Sequence, residues 1–200
     1  MADKKIRIFF FLEDIAHENF LTSIVKRISR EERVQTELTV RNATGGKGRA
    51  ISALRKFLKS EEARKCDLLI VCIDADCSTY SKKRRELEEM VEKRIFKEKL
   101  VCAIPEPHIE RWYLSDIQAL GKAIGGSVSL PSLGKKCRRD YYKRLLFQLI
   151  GNSIKVKPNL GGAEYGEDIA RYMDFFHAGN KDSSFKHFID DLRSKLRKGK

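Results

Sequence analysis

The stretch Asp67-Leu68-Leu69-Ile70-Val71-Cys72-Ile73-Asp74-Ala75-Asp76 decides the fold. From Leu68 to Ile73 every side chain is apolar. Such a run is short for a helix and lacks the alternation of a half-solvated strand. It is the pattern of a strand covered on both faces, as in a parallel sheet flanked by helices. Upstream, Ile6–Leu12 is a second β-rich apolar run and Val34–Val40 a modest third. Between those two, Phe20, Leu21, Ile24, Val25 and Ile28 mark one helical face. After the break Thr44-Gly45-Gly46-Lys47-Gly48, Ile51, Leu54 and Leu58 mark another. Downstream, a charged helix is expected over Ser81–Ile95 and a fourth strand over Leu100–Ile104. An amphipathic helix then runs through Ile109, Trp112, Tyr113, Ile117 and Leu120. This order predicts a three-layer, Rossmann-like α/β domain over residues 1–125, with a mostly parallel four-stranded sheet. Beyond Gly125-Gly126 no further strand is expected. Helices at about 136–150, 164–177 and 183–198 form a basic helical extension, residues 126–200, packed on that core.

With 200 residues, 42% hydrophobic and 34% charged, the composition is that of one globular domain rather than a disordered or fibrous chain. No apolar run approaches the ~20 residues of a membrane span. The start, Met1-Ala2-Asp3-Lys4-Lys5, lacks the pattern of a secretory signal, so a cytoplasmic protein without a membrane partner is expected. Lys and Arg number 41 against 28 Asp and Glu, a net charge of +13 that makes a polyanion the first partner to consider. The excess is uneven: residues 1–125 hold 25 bases and 20 acids, residues 126–200 hold 16 and 8. The five cysteines, Cys66, Cys72, Cys77, Cys102 and Cys137, include no Cys-x-x-Cys pair and read as structural thiols in a reducing compartment.

Acids follow three of the four expected strands. Glu13-Asp14 ends the first, Asp74-Ala75-Asp76 the third, and Glu106 the fourth, with Glu110 one turn later. Ligands of open α/β sheets bind beyond the carboxyl ends of the strands. Carboxylates gathered there repel one another unless a cation sits among them, and such hard oxygens suit Mg²⁺ or Mn²⁺. Bases elsewhere on the chain would collect a nucleic acid. Lys82 and Arg84 lie in the cluster Lys82-Lys83-Arg84-Arg85. Lys135, Lys136, Arg138 and Arg139, followed by Lys143 and Arg144, interleave with Tyr141 and Tyr142, whose rings suit base stacking. Trp112 keeps the helical spacing of Ile109 and Leu120 and reads as core. The glycine-rich break lacks phosphate-loop spacing, which leaves its amides as a contact for a substrate phosphate.

Glu13 and Asp74-Ala75-Asp76 resemble the signature of the Toprim domain, shared by topoisomerases, bacterial primases and OLD-family nucleases. The segment from Ile104 to Asp116, with Pro105, Glu110, Trp112, Leu114 and Asp116, is similar to one in a family of small stand-alone bacterial Toprim-like proteins. Ser184-Phe185-Lys186-His187-Phe188 also looks familiar. The resemblance implies a metal-dependent nuclease acting on RNA or DNA, with relatives linked to phage defence. By resemblance, Glu13, Asp74 and Asp76 are catalytic and bind metal, and Glu106 and Glu110 orient a second ion. His17 stands where that family has a second acid. His17 and His108 lie near the expected site as single histidines without an assigned ligand role. On this reading the acids repel, so amide replacements at Glu13, Asp74 or Asp76 should leave metal-free stability equal or higher. Two other readings stand beside it. One is a binding or regulatory subunit working with an ATPase supplied in trans. The other, disfavoured by the Asp-x-Asp and the strong positive charge, is a phospho-acceptor receiver domain.

Overall fold

In a computed structural model of the chain, the described residues are 5–42, 44–91, 94–130, 133–134, 136–138, 140–155 and 157–199. Four strands, β1 (Ile6–Leu12), β2 (Thr36–Asn42), β3 (Leu68–Cys72) and β4 (Leu100–Ala103), pair in parallel in the order β2-β1-β3-β4. Alternate residues of β1, β3 and β4 serve opposite cores, while the edge strand β2 gives Leu38 and Val40 to the first. Ile8, Phe10 and Leu12 of β1 join Ile70, Cys72 and Val101 on one face, while Phe9, Phe11, Leu69, Val71 and Cys102 face the other. Sheets buried on both sides need strands apolar at every position, which is why β3 reads as it does.

On the first face lie α1 (Ile15–Glu31), α5 (Ile109–Leu114) and α6 (Ile117–Ile124), with α7 (Tyr141–Ile154), α8 (Gly166–Tyr172), α9 (Phe175–Lys181) and α10 (Ser183–Lys198). On the second face lie α2 (Gly46–Leu58), α3 (Tyr80–Met90) and α4 (Arg94–Lys99). The molecule is therefore a three-layer α/β fold with a helical C-terminal region. That region shares the first core: Tyr142, Leu146, Ile150, Phe185, Phe188 and Leu192 are fully buried in the cluster that holds the inner residues of β1 and α1. Each such side chain contributes about 1.5–3 kcal/mol of burial. At the far end Arg193 and Arg197 of α10 bond the Glu32 carboxylate.

Several expected helices are divided. The charged helix stops at Met90, and the separate α4 leads straight into β4. The helix through Trp112 breaks at Ser115-Asp116, because the Asp116 carboxylate accepts from Gln118 N and Ala119 N at 3.1 Å and starts α6. Its second oxygen accepts from Asp174 N at 2.9 Å, which also fixes the break between α8 and α9. The helix expected from about residue 136 begins at Tyr141, and residues 136–138 are irregular. Trp112 is core: its indole N–H donates to Ser184 Oγ at 2.8 Å and its ring stacks on Phe188. The familiar segment near the C-terminus thus anchors α10 to α5, helped by the buried Arg111–Asp182 ion pair at 2.6 Å.

Candidate metal centre

The crossover from β1 to β2 runs on the opposite face from those that follow β2 and β3. The carboxyl ends of β1 and β3 therefore border a topological switch point, the usual ligand crevice of such sheets. Glu13 and Asp74 emerge there. Glu13 Oε2 accepts from Asp74 N at 3.1 Å, joining the two strand ends. Asp14 caps α1 by accepting from Ala16 N and His17 N. Its Oδ1 also lies 2.7 Å from His17 Nδ1, and the other ring nitrogen, Nε2, lies 3.1 Å from Asp74 Oδ1. His108 approaches the second oxygen of Asp74, Nδ1 to Oδ2 at 3.2 Å. One ligand atom each from Glu13, His17 and Asp74 lie within 4.8 Å of one another, a spacing that suits a metal ion.

The electrostatics divide the acids. Burial raises the Asp74 carboxyl, but the charge of His17 and the bonds from His108 and His17 outweigh it and hold Asp74 below the ordinary range. Burial beside Asp74 pushes Glu13 up. Burial opposes charge on His17, yet Cys72, Asp74 and Asp14 raise its pKa well above an ordinary histidine. His108 is raised by its bond to Asp74, and Glu110 by burial and the Asp74 charge. At Asp74, attraction to two imidazoles stands against repulsion among acids, so here Asp74→Asn is expected to lower metal-free stability rather than leave it equal or higher. At Glu13, whose pKa is raised, the expected effect of Glu13→Gln is unchanged.

Asp76, in left-handed conformation at φ 55°, sits outside the Glu13–His17–Asp74 trio. Its Oδ2 accepts from Lys47 Nζ at 2.9 Å, and the same ammonium donates to the Asp74 carbonyl at 3.2 Å. Lys47 arrives there because Gly45 and Gly46 adopt φ of 84° and 75°, a turn that side-chain-bearing residues resist, with Gly46 N donating to the Glu13 carbonyl at 3.1 Å. The glycine-rich turn thus offers the site an ammonium. Glu106 is turned away, its Oε2 accepting from Tyr80 N at the start of α3. Glu110 lines the pocket, with Glu13, Asp14, Asp74, Asp76, Cys77, His108, Asp140 and Lys143, around about 420 Å³. A larger cleft, about 790 Å³, lies between α1, the start of β2 and α8. Its Arg27 is engaged by backbone carbonyls of Ala170, Arg171 and Met173, so volume alone does not select the site.

The basic residues scatter. Lys82 is exposed at the start of α3, and Arg84 is bonded to Glu88 at 2.7 Å. Lys136 and Arg138 are exposed, with the Lys136 ammonium 4.8 Å from the centre of the Tyr141 ring. Tyr141 packs edge-on against Tyr142, which is buried and therefore unable to stack on a base. Lys135 and Arg139 lie outside the described residues. Cys66, Cys72 and Cys102 are free buried thiols, as expected, whereas Cys77 and Cys137 form a disulfide. That bond ties the irregular segment before α7 to the loop carrying Asp76, a pairing that residues 60 apart do not announce in sequence. His17, His108 and Lys47 are the site residues that sequence reading undervalued. The legible signal was Asp14-x-x-His17, a helix cap with a histidine one turn on.

Fold and site together define an α/β protein with a histidine-clamped carboxylate centre at the switch point of its sheet. The chain belongs to the family described as Domain of unknown function (DUF4276), whose model matches residues 12–193. No curated protein and no solved structure matches it.

Proposed function

We propose that this protein is a divalent-metal-dependent phosphodiesterase acting on RNA or DNA, with Mg²⁺ or Mn²⁺ as cofactor and a cytoplasmic place of work. The supporting observation is the convergence of Glu13, His17 and Asp74 at the switch point. The likeness of Glu13 and Asp74-Ala75-Asp76 to the Toprim signature points to the same spot. The donor set fits a cation: two carboxylates, and an imidazole whose Nδ1 faces Asp14 and whose Nε2, once a bound ion has displaced its proton, faces the carboxylates as a ligand. The imidazole favours Mn²⁺ over Mg²⁺. When bound, the ion supplies Lewis acidity and an activated water for attack on a phosphodiester.

The chain's own residues have separable tasks in this reading. Glu13, its pKa raised by burial, is suited to hold and return a proton as general acid/base. Asp14 orients His17, and His108 fixes the second oxygen of Asp74. Lys143, on the rim, meets the substrate phosphate, and exposed Lys136 and Arg138 add to the attraction of a polyanion.

A second reading, a regulatory subunit partnered by an ATPase, draws on Lys47 and the two histidines, which already balance the acids without a metal. One experiment separates them. Cleavage of labelled RNA and DNA is measured with Mn²⁺, with Mg²⁺ and with chelator, alongside thermal melts. The phosphodiesterase predicts at least about tenfold more cleavage with metal than with chelator, a worthwhile lowering of the barrier. It also predicts a rise in Tm with the ion, and the loss of both in Asp74→Asn. Melts and cleavage indifferent to metal and to Asp74→Asn would refute it.

A further inference from the structure

A face of α7 leads away from the acidic pocket. Lys143, Arg144, Phe147 and Gln148, spaced i, i+1, i+4, i+5, are exposed, while Tyr142, Leu146 and Ile150 of the same helix are buried. They line a groove of about 470 Å³ with Asp140 and Gly161. Asp140 and Lys143 also line the acidic pocket, so groove and pocket adjoin. The opposite wall is Gly161, in the loop 159–162. Gly161 and Gly162 hold φ of 68° and 101°, and a Cβ on Gly162 would sit within 2.9 Å of Leu146 and Ile150 side-chain atoms, so the loop lies directly on α7. Glu164 fastens it by accepting backbone N–H bonds from Asn159 at 2.6 Å and Gly162 at 3.0 Å. The wall is built, not a loose strand of chain.

We infer that this groove binds an unpaired nucleotide flanking the phosphodiester at the acidic pocket, and hence that the substrate is single-stranded nucleic acid. Lys143 and Arg144 supply phosphate contacts, and Phe147, 37% exposed and one turn on, supplies a ring for a base to stack on. Gln148 beside it offers an amide that donates to and accepts from a base edge. The combination argues against an apolar protein segment, which would strip water from two cations and leave them unpaired. It also argues against a duplex, in which stacked and paired bases present no free face to Phe147. The inference deepens the phosphodiesterase reading and rests on it for the position of the scissile bond.

The test is equilibrium binding in chelator, where cleavage plays no part, using fluorescently labelled single-stranded RNA, single-stranded DNA and a duplex of the same sequence. Both single strands are expected to outcompete the duplex, and the tighter one identifies the natural sugar. Phe147→Ala should weaken single-strand binding about tenfold, as loss of one stacked base does, and leave duplex binding unchanged. Phe147→Trp should restore it. Lys143→Gln with Arg144→Gln should weaken all binding and flatten its salt dependence. Melting temperatures confirm that each variant is folded. Equal binding of duplex and single strand, or a folded Phe147→Ala that binds single strands normally, overturns the inference. These outcomes are independent of whether metal supports cleavage, so a failed phosphodiesterase and a failed groove give different results.

Discussion

The inner and outer sides of the acidic pocket are built in different ways. On the inner side Glu13, His17, Asp74 and His108 issue from strand ends or their first following turn and are tied by mutual hydrogen bonds. On the outer side Asp76, Lys47, Cys77 and Lys143 stand in loops or on an exposed helix face, joined by a surface ion pair and a disulfide. The inner groups inherit their positions from the core, because β3 is buried at every residue and β1 at all but Arg7. The outer groups depend on a covalent tie and on side chains that water reaches. Chemistry that needs fixed geometry belongs inside, and contacts that must adapt to a substrate belong outside.

The strongest way to break the comparison is to cut the outer tie. Reduction, or Cys77→Ser with Cys137→Ser, releases a loop closed by residues 60 apart and should cost about 2–4 kcal/mol of stability. It should leave the inner centre intact, so the metal-induced shift in Tm persists in reduced protein. Thermal melts with and without reductant, each with and without Mn²⁺, measure both. If reduction abolishes the metal response, the two sides are not independent.

Next in size is the contrast within the inner side. Asp74→Asn removes the charge that both imidazoles hold and should lower metal-free stability by about 1.5–3 kcal/mol, the worth of hydrogen bonds to a charged group. Glu13→Gln removes a carboxylate whose pKa is raised, and metal-free stability should stay level or rise. Denaturant melts in chelator rank the two variants. The reverse order would mean that repulsion governs the cluster after all.

A smaller effect follows from Glu110. Its folded pKa is raised above the ordinary glutamate value of 4.5 by burial and by Asp74. The protonated form is therefore favoured by folding, and this contribution is full below pH 4.5 and lost as pH rises through the folded value. Glu110→Gln should accordingly melt higher than the unaltered protein at neutral pH, with the gain vanishing in acid. A gain that persists below pH 4.5 would point to packing rather than to ionisation.

Much of the fold was legible because β3 and β4 are unbroken apolar runs and β1 nearly so, and β1 runs over the expected Ile6–Leu12. Helix divisions were not, since the one between α8 and α9 depends on Asp174 N meeting the Asp116 carboxylate, 58 residues away. At the site, Glu13 and Asp74 were legible because a strand end fixes where its next side chain goes. Asp76 and Glu106 were harder to place: one turned residue sends Asp76 toward Lys47, and Glu106 bonds the start of α3 instead. Lys47 needed the two left-handed glycines and the fold itself to bring it 27 residues along the chain to Asp74.

The least effect is expected at the Lys47–Asp76 pair, and it sharpens the contrast with Asp74 most directly. The Asp76 side chain is 57% exposed and that of Lys47 31%, so water and salt screen the 2.9 Å contact. Exposed pairs of this kind contribute about 0.2–1 kcal/mol. A double-mutant cycle of Asp76→Asn and Lys47→Gln should return a coupling in that range that fades as salt is raised. The same cycle on Asp74 and His17, buried and bonded at 3.1 Å, should return a larger coupling that salt barely alters. Equal couplings with equal salt dependence would show that exposure does not divide the pocket. If the proposed phosphodiester substrate enters the pocket, the Lys47 ammonium is placed to exchange this screened contact with Asp76 for a phosphate while keeping its bond to the Asp74 carbonyl. Lys47→Gln should then weaken nucleic-acid binding more than it lowers stability.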